Sequence, residues 1–237
     1  MVVWSDVAFA GLLGGLLAVE RRAFLQAMFS RPLVAGTGIG LVMDDLSSGL
    51  YVGLVLELFH LGSANLGAAL PENDTLAATG VAAAAAGMTG GSGASTPAIW
   101  SLAILMFVGL GHAGRYIDRA LERYCSRLAG RAMEAAEQGE LERAVRQNVW
   151  GMWPHFFSFG LITAACGVVG FLLAPWVESL PLSLVRGLAW AYPAMASVAA
   201  AIAARGSHAR RAALFAGAAA AVVIAGAALV TLQRLRL

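Results

Sequence analysis

The chain has 237 residues, 59% of them hydrophobic and only 13% charged, with a formal net charge of +2. Soluble domains carry about 25% charged residues, so composition argues against a water-soluble fold, and so small a positive excess gives no footing for nucleic acid. Ala and Gly are abundant, and membrane helices use small residues to approach one another closely; the expectation is an all-α, polytopic membrane protein in contact with a lipid bilayer.

The first apolar stretch, Val2 to Val19, nearly reaches the ~20 residues a spanning helix needs. It opens on Ser5 and Asp6 rather than on a basic region, which reads as a retained membrane segment and not as a cleaved signal. "ERRAFLQAMFSRP" follows. Its amphipathic pattern and terminal Pro32 predict an interfacial or re-entrant segment. "LVAGTGIGLVM" is too short to span alone before Asp44 and Asp45. "GLYVGLVLELFHLGSANLGAAL" is long enough, yet it carries Glu57, His60 and Asn65 together with Gly62 and Gly67.

Pro71 and a cap at Asn73 or Asp74 open an Ala-rich stretch, and "PAIWSLAILMFVGLGHAG" reads as another span. Between Arg115 and Arg146 seven Arg alternate with six acids at helical spacing, which predicts a long polar or amphipathic helical arm. Three hydrophobic segments follow, near 156–177, 182–204 and 212–232. The expected domains are a broken or re-entrant membrane core over 1–114, the arm over 115–148 and a second membrane bundle over 149–237. Trp4, Trp100, Trp150, Trp153 and Trp176 fall near segment ends, where amphipathic rings prefer to sit, although core packing explains any single one equally well. The positive-inside rule places the arm on the cytoplasmic side. Arg205, Arg210 and Arg211 agree with that side; Arg234 and Arg236 do not.

"GTGIG" lacks the third correctly spaced glycine and the strand–helix context of a dinucleotide fingerprint. The pairs Gly11/Gly15, Gly36/Gly40, Gly49/Gly53 and Gly87/Gly91 instead have the small-xxx-small spacing of close helix packing. Cys125 and Cys166 form neither a metal-ligand spacing nor a disulfide framework. Nothing resembles a nucleophile–base pair, a phosphate loop or a metal cluster, so no cofactor is expected. An ionisable side chain inside a membrane segment is costly and marks a functional site by default. On an ideal helix His60 lies about 60° to one side of Glu57 and Asn65 about 80° to the other. A carboxylate and an amide suit sugar hydroxyls; the competing reading of Glu57 is a structural pair with Arg31. At least one of Asp44 and Asp45 reads as a solvated turn. His112, His155 and His208 lie near segment ends, where an interfacial role is the plain expectation.

The run "SRPLVAGTGIGLVMDDLSSGLYVGLVLELFHLGSANLGAALPENDTLAA" resembles the IIC permease component of the mannose–fructose–sorbose family of the bacterial phosphotransferase system. The matching pieces are Arg31-Pro32-Leu33, the glycine-rich stretch from Gly36 to Asp45, Gly53 with Leu56-Glu57, Leu61-Gly62 with Asn65 and Gly67-Ala68-Ala69, and Pro71-Glu72. The match is close over about fifty residues and loose over the first hundred. The resemblance implies a multi-pass subunit of the bacterial inner membrane, oligomeric and not itself an enzyme. It would act with a IID membrane subunit, and a cytoplasmic IIB protein charged by IIA would phosphorylate the sugar. It also implies an elevator-like moving core with re-entrant hairpins. Its sugar site maps onto Glu57 and Asn65, with Glu20 and Gln26 as candidates from the loop before "RPL". His60 and Asp45 complete the candidate set. The alternatives are a scaffold or sensor that recruits phosphotransferase proteins without transport, and an ion-coupled transporter using Glu57 and Asp45 as proton sites.

Overall fold

The computed structural model describes residues 4–61, 71–90, 96–204 and 217. Within them the chain is helical: α1 (Trp4–Arg22), α2 (Pro32–Val42), α3 (Leu46–Leu61), α4 (Asp74–Met88), α5 (Pro97–Phe107), α6 (Leu110–Glu137), α7 (Leu141–Trp150), α8 (Trp153–Glu178) and α9 (Leu182–Ala204). Large apolar side chains such as Leu161 (73% exposed) and Leu172 (74%) point outward. A soluble surface rarely tolerates contiguous apolar exposure; a bilayer favours it.

Among the described residues three stretches are long and apolar enough to cross a membrane: Pro97–Glu137, Leu141–Glu178 and Leu182–Ala204. These contain three of the expected spans; the expected segment 212–232 lies outside the described residues except at position 217. The first segment is shorter than expected as a crossing. Asp6 at one end of α1 and Glu20, Arg21 and Arg22 at the other leave an uncharged stretch from Val7 to Val19, below the ~20 residues of a span.

The centre is α4. Every residue from Thr75 to Met88 is buried, which explains the Ala-rich sequence: a helix surrounded on all sides must be thin for its neighbours to reach one another. Asn73 caps its N-terminus by accepting from Leu76 N at 2.8 Å, as such caps do. α8 lies against α4 and α1, and α2 and α3 lie against α4. A Cβ on Gly87 would stand 2.5 Å from Gly167 O, so α4 and α8 touch backbone to backbone.

The interrupted architecture expected of the N-terminal half is present. α2 has eleven residues, about 16 Å at 1.5 Å per residue, roughly half the ~30 Å hydrocarbon core. A tight turn at Met43–Asp45, with Asp44 in the left-handed region (φ 56°), sends α3 back along it. The two helices touch through their small-xxx-small pairs. A Cβ on Gly40 would meet Asp45 O at 2.6 Å and Gly49 Cα at 2.7 Å, and one on Gly36 would meet Gly53 Cα at 3.0 Å. Gly11 and Gly15 serve α1 and α8 in the same way, meeting Gly160 O at 3.0 Å and Phe156 O at 2.6 Å. Gly91, the partner expected for Gly87, is outside the described residues.

Two features have more detail than the sequence alone shows. The stretch after Arg22, read from the sequence as an interfacial or re-entrant segment, is not helical beyond α1. Leu25, Gln26 and Met28 all have positive φ, a region costly for residues with a Cβ, and this breaks the helical path before Pro32. The arm is built of two helices: Gly139 (φ 77°) ends α6 and turns the chain into α7, which packs back on α6. Of the tryptophans, Trp4, Trp150, Trp153 and Trp176 are exposed, whereas Trp100 is buried. It stacks on Tyr51 at 4.2 Å, meets Tyr192 edge-on and donates to Ser48 Oγ, tying α3, α5 and α9 together.

At the C-terminal end of α1, two adjacent arginines reach a buried acidic centre. Arg22 lies 3.0 Å from Asp118 and 2.7 Å from Glu122; Arg21 lies 2.8 Å from Asp74. Asp118, 2% exposed, also accepts from Asn73 Nδ2 at 2.9 Å. Removing one member of a buried ion pair leaves the other uncompensated, at about 3–5 kcal/mol. Asp118→Ala should therefore lower the melting temperature in detergent far more than Glu122→Ala, whose carboxylate is partly in solvent.

The glycine contacts give a second expectation with opposite signs at two sites. Gly40→Ala drives a methyl into backbone and should destabilise by about 1–3 kcal/mol or more. Gly130→Ala, where a Cβ meets nothing within 4 Å, should stabilise by about 0.5–1 kcal/mol through helix propensity. Thermal unfolding of both variants in one detergent checks the pair; two shifts of the same sign would contradict it.

Candidate functional site

The contacts between α2 and α3 set a register. With Gly36 opposite Gly53 and Gly40 opposite Gly49, the antiparallel pairing brings Glu57 beside the start of α2. There Arg31 NH1 lies 2.7 Å from Glu57 Oε1, and Leu33 N donates to Glu57 Oε2 at 3.3 Å. Pro32 occupies the first turn of α2, so the carboxylate accepts from the positive end of a helix dipole, which favours an anion. The ion pair is the one the sequence offers as the structural alternative for Glu57. Glu57 is 13% exposed on its side chain and Arg31 45%; both groups remain reachable.

The chain between α1 and α2 folds over this corner. Glu20 is buried at the end of α1 and its Oε2 accepts from Ser30 N at 2.9 Å. Ser30 O accepts in turn from Thr75 Oγ1 at 2.9 Å, pinning the loop to α4. Glu20 Oε1 is buried with no hydrogen-bond partner among the described residues. Gln26, held in the left-handed region (φ 49°), donates to Arg22 O at 3.3 Å. Backbone strain of this kind concentrates at functional sites. Glu20, Gln26, Arg31 and Asp74 share the wall of an open cavity of about 200 Å³.

Three of the six candidates therefore lie at one corner: Glu20 and Gln26 on the cavity, with Glu57 joined to it through Arg31. His60 lies one turn beyond Glu57, its Nδ1 2.8 Å from Leu56 O. Asn65 is outside the described residues. Asp45 is not brought to this group. It sits twelve positions from Glu57, about 18 Å along the axis of α3, where its Oδ1 accepts from Ser48 N at 3.0 Å and caps the helix. The neighbouring Asp44 is exposed, the solvated turn expected of one of the two. Ser30, Thr75 and the Arg21–Asp74 pair also belong to the corner. Sequence reading missed them because they are joined across about fifty residues by contacts that no local period announces.

A larger cavity, about 610 Å³, lies between the end of α1 and helices α6, α7 and α8. Of its polar groups, Arg22 is committed to Asp118 and Glu122 and Cys125 Sγ to Gly151 O, while His155 Nε2 is buried with no hydrogen-bond partner among the described residues. His155, expected at an interface, is buried beside it with Nδ1 3.3 Å from Gly151 O. Size alone would favour this cavity. The smaller one is the better candidate because it gathers an unpartnered carboxylate oxygen, an amide and an accessible guanidinium.

Among curated proteins the chain is similar to the phosphotransferase mannose-specific EIIC components of Escherichia coli K12 and Shigella flexneri, in each case 40% identical over 52 residues. That match spans 22% of this chain and about a fifth (20%) of the length of each relative. Among solved structures, a chain described as a membrane protein aligns with a TM-score of 0.69 at 19% identity, over 100% of this chain and 97% of its own length. The cryo-EM structure of the mannose transporter ManYZ with microcin E492 aligns with a TM-score of 0.61 at 18% identity, over 100% of this chain and 96% of the other. At these identities the two structures establish a shared fold. The family model described as "PTS system sorbose-specific IIC component" matches residues 4–223, extending the resemblance of the first hundred residues through the arm and beyond it, and the chain belongs to that family of phosphotransferase membrane components.

Proposed function

We propose that this chain carries a hexose or a related sugar across the bacterial inner membrane, holding it at the corner formed by Glu20, Gln26, Arg31 and Glu57, with Asn65 and His60 as further contacts. The observation that carries the proposal is Glu20 Oε1, a buried carboxylate oxygen without a partner beside an open polar cavity. Such an atom costs about 1–3 kcal/mol, and more when charged, so a ligand donor there is strongly favoured. A volume of about 200 Å³ falls below the roughly 300–1,000 Å³ of sites for drug-sized molecules, which suits a single sugar ring. Arg31 is 45% exposed and Glu57 also accepts from Leu33 N, so a sugar hydroxyl can replace part of the Arg31–Glu57 contact while the carboxylate keeps a donor.

Nothing among the described residues is set up to carry a phosphoryl group. A IID membrane subunit would complete the permease, and a cytoplasmic IIB protein, charged by IIA, would phosphorylate the sugar. The fold shared with a mannose transporter and the family membership support this division of labour.

Glu20→Gln and Glu57→Gln each remove a charge-assisted acceptor, worth about 1.5–3 kcal/mol. Hexose binding should weaken by about tenfold or more in each, with membrane expression retained; isothermal titration or labelled-sugar binding measures it. If Glu57 serves Arg31 alone, Glu57→Gln lowers the melting temperature and leaves sugar affinity unchanged.

Uptake supplies the complementary test. Vesicles containing this chain alone should not accumulate hexose, whereas phosphoenolpyruvate-dependent uptake should appear when IID, IIB and IIA are added. Robust accumulation by the chain alone, dependent on a proton gradient, would replace the proposal with ion-coupled transport.

A further inference from the structure

α6 carries Arg115, Arg119, Arg123, Arg127 and Arg131, each four residues after the last. At 100° per residue the ridge winds by about 160° over about 24 Å of helix. It starts immediately after the apolar run that ends at Gly114. Arg119, Arg123, Arg127 and Arg131 are exposed and Arg115 is half-buried.

Arg and acid at i,i+3 or i,i+4 on one helix ordinarily neutralise each other, and α6 has Asp118, Glu122 and, three residues after Arg131, the exposed Glu134 at that spacing. Asp118 and Glu122 are taken by Arg21 and Arg22 of α1, which leaves Glu134 as one acid near five arginines. None of the five ridge arginines forms an ion pair among the described residues. Arg119 stacks over Tyr116 at 5.8 Å and Arg123 Nε donates to Arg119 O; neither contact brings a negative charge. Residues 1–3, 62–70, 91–95 and 205–237 contain no Asp or Glu, so no further part of the chain has an acidic side chain to offer.

The surroundings point to a lipid surface. Tyr116 and Tyr124 interleave with the arginines and are exposed, as aromatic rings at a membrane boundary are. α7 returns to the membrane at Trp153 and Phe157, both exposed at the start of α8. Its own side chains Leu141 (69% exposed) and Val145 (64%) form an apolar stripe that an interface would cover. Basic clusters directly after a membrane segment attract anionic headgroups.

We propose that the arginine ridge of α6, with the apolar stripe of α7 beside it, is a docking surface for anionic phospholipid headgroups. The inference is independent of the sugar site. It predicts that the full chain, reconstituted with mixed phosphatidylglycerol and phosphatidylcholine and then purified in detergent, retains phosphatidylglycerol at least about tenfold over its share in the mixture. The enrichment should fall as salt shortens the screening length. Changing all five arginines to Gln should abolish it, changing all five to Lys should preserve it, and Arg143→Gln on α7, which only removes a local pair with Glu140, should leave it unchanged. If the five-Gln chain does not fold, the double variant Arg127→Gln, Arg131→Gln, well away from the bundle, should show a partial loss. Equal retention of both lipids by the wild-type chain, or undiminished enrichment in the Gln variants, overturns the proposal. So does ridge-dependent capture of an acidic soluble protein in phosphatidylcholine alone with lipid enrichment unaffected by the Gln changes, because that outcome gives the ridge to a protein.

Discussion

Backbone-to-backbone contact between helices is the constraint on which the rest of this protein depends. Lipid tails are as apolar as leucine, so helices in a membrane gain little from burying apolar side chains against one another; close packing has to supply the attraction. The chain answers with glycine and alanine wherever two helices cross: Gly36, Gly40, Gly49 and Gly53 between α2 and α3, Gly11 and Gly15 against Gly160, Gly87 against Gly167. The contact between α2 and α3 fixes register as well as distance. A slip along α3 would move Glu57 away from Arg31 and from Leu33 N. The chemistry at the corner is thus placed by residues that have no side chains.

The same economy governs charge. In a low-dielectric interior an uncompensated charge is the costly state, and the last turn of α1 concentrates the compensation. Glu20, Arg21 and Arg22 are consecutive, so they point in three directions: Glu20 toward Ser30 and the small cavity, Arg21 toward Asp74, Arg22 toward Asp118 and Glu122. One helix end therefore orders the candidate site, the start of α4 and the inner face of α6 together. Occupying Asp118 and Glu122 also leaves Glu134 as the one acid at helical spacing from the outer arginines of α6. An inward lock and an outward basic ridge are two consequences of one arrangement.

What the sequence made legible was what a short window can hold. Gly36/Gly40 and Gly49/Gly53 announce close packing because their spacing is one helical turn, and α2 is visibly too short to span. Arg31 with Glu57 was foreseeable as a pair because each is a lone charge beside an apolar run. The lock joining Arg22 to Asp118 was not: the partners lie almost a hundred residues apart, and Asp118 looks like any acid in a charge-alternating helix. The left-handed backbone at Leu25, Gln26 and Met28 was hidden for another reason. No glycine marks it, and an amphipathic pattern does not announce the bonds of Ser30 to Glu20 and Thr75 that fix the path. Gly139 did mark the division of the arm, but the helical period on either side obscured it.

These limits bear on how the corner works. If Glu57 were held only by Arg31, the half-exposed pair would contribute little and the carboxylate would cost more than it returned. The N–H of Leu33 changes that balance, because it belongs to a helix start whose dipole favours the anion whether or not Arg31 is engaged. Arg31 is the more exposed member, 45% against 13% for Glu57. It already lines the cavity with Glu20 and Gln26, while Glu57 keeps a backbone donor. Glu20 is held in the complementary way, one oxygen fixed by Ser30 N and the other left without a partner. Each carboxylate has one oxygen anchored by a backbone N–H, from Ser30 and from Leu33, and in the proposed sugar site the other oxygen of each is the one a polar solute would meet.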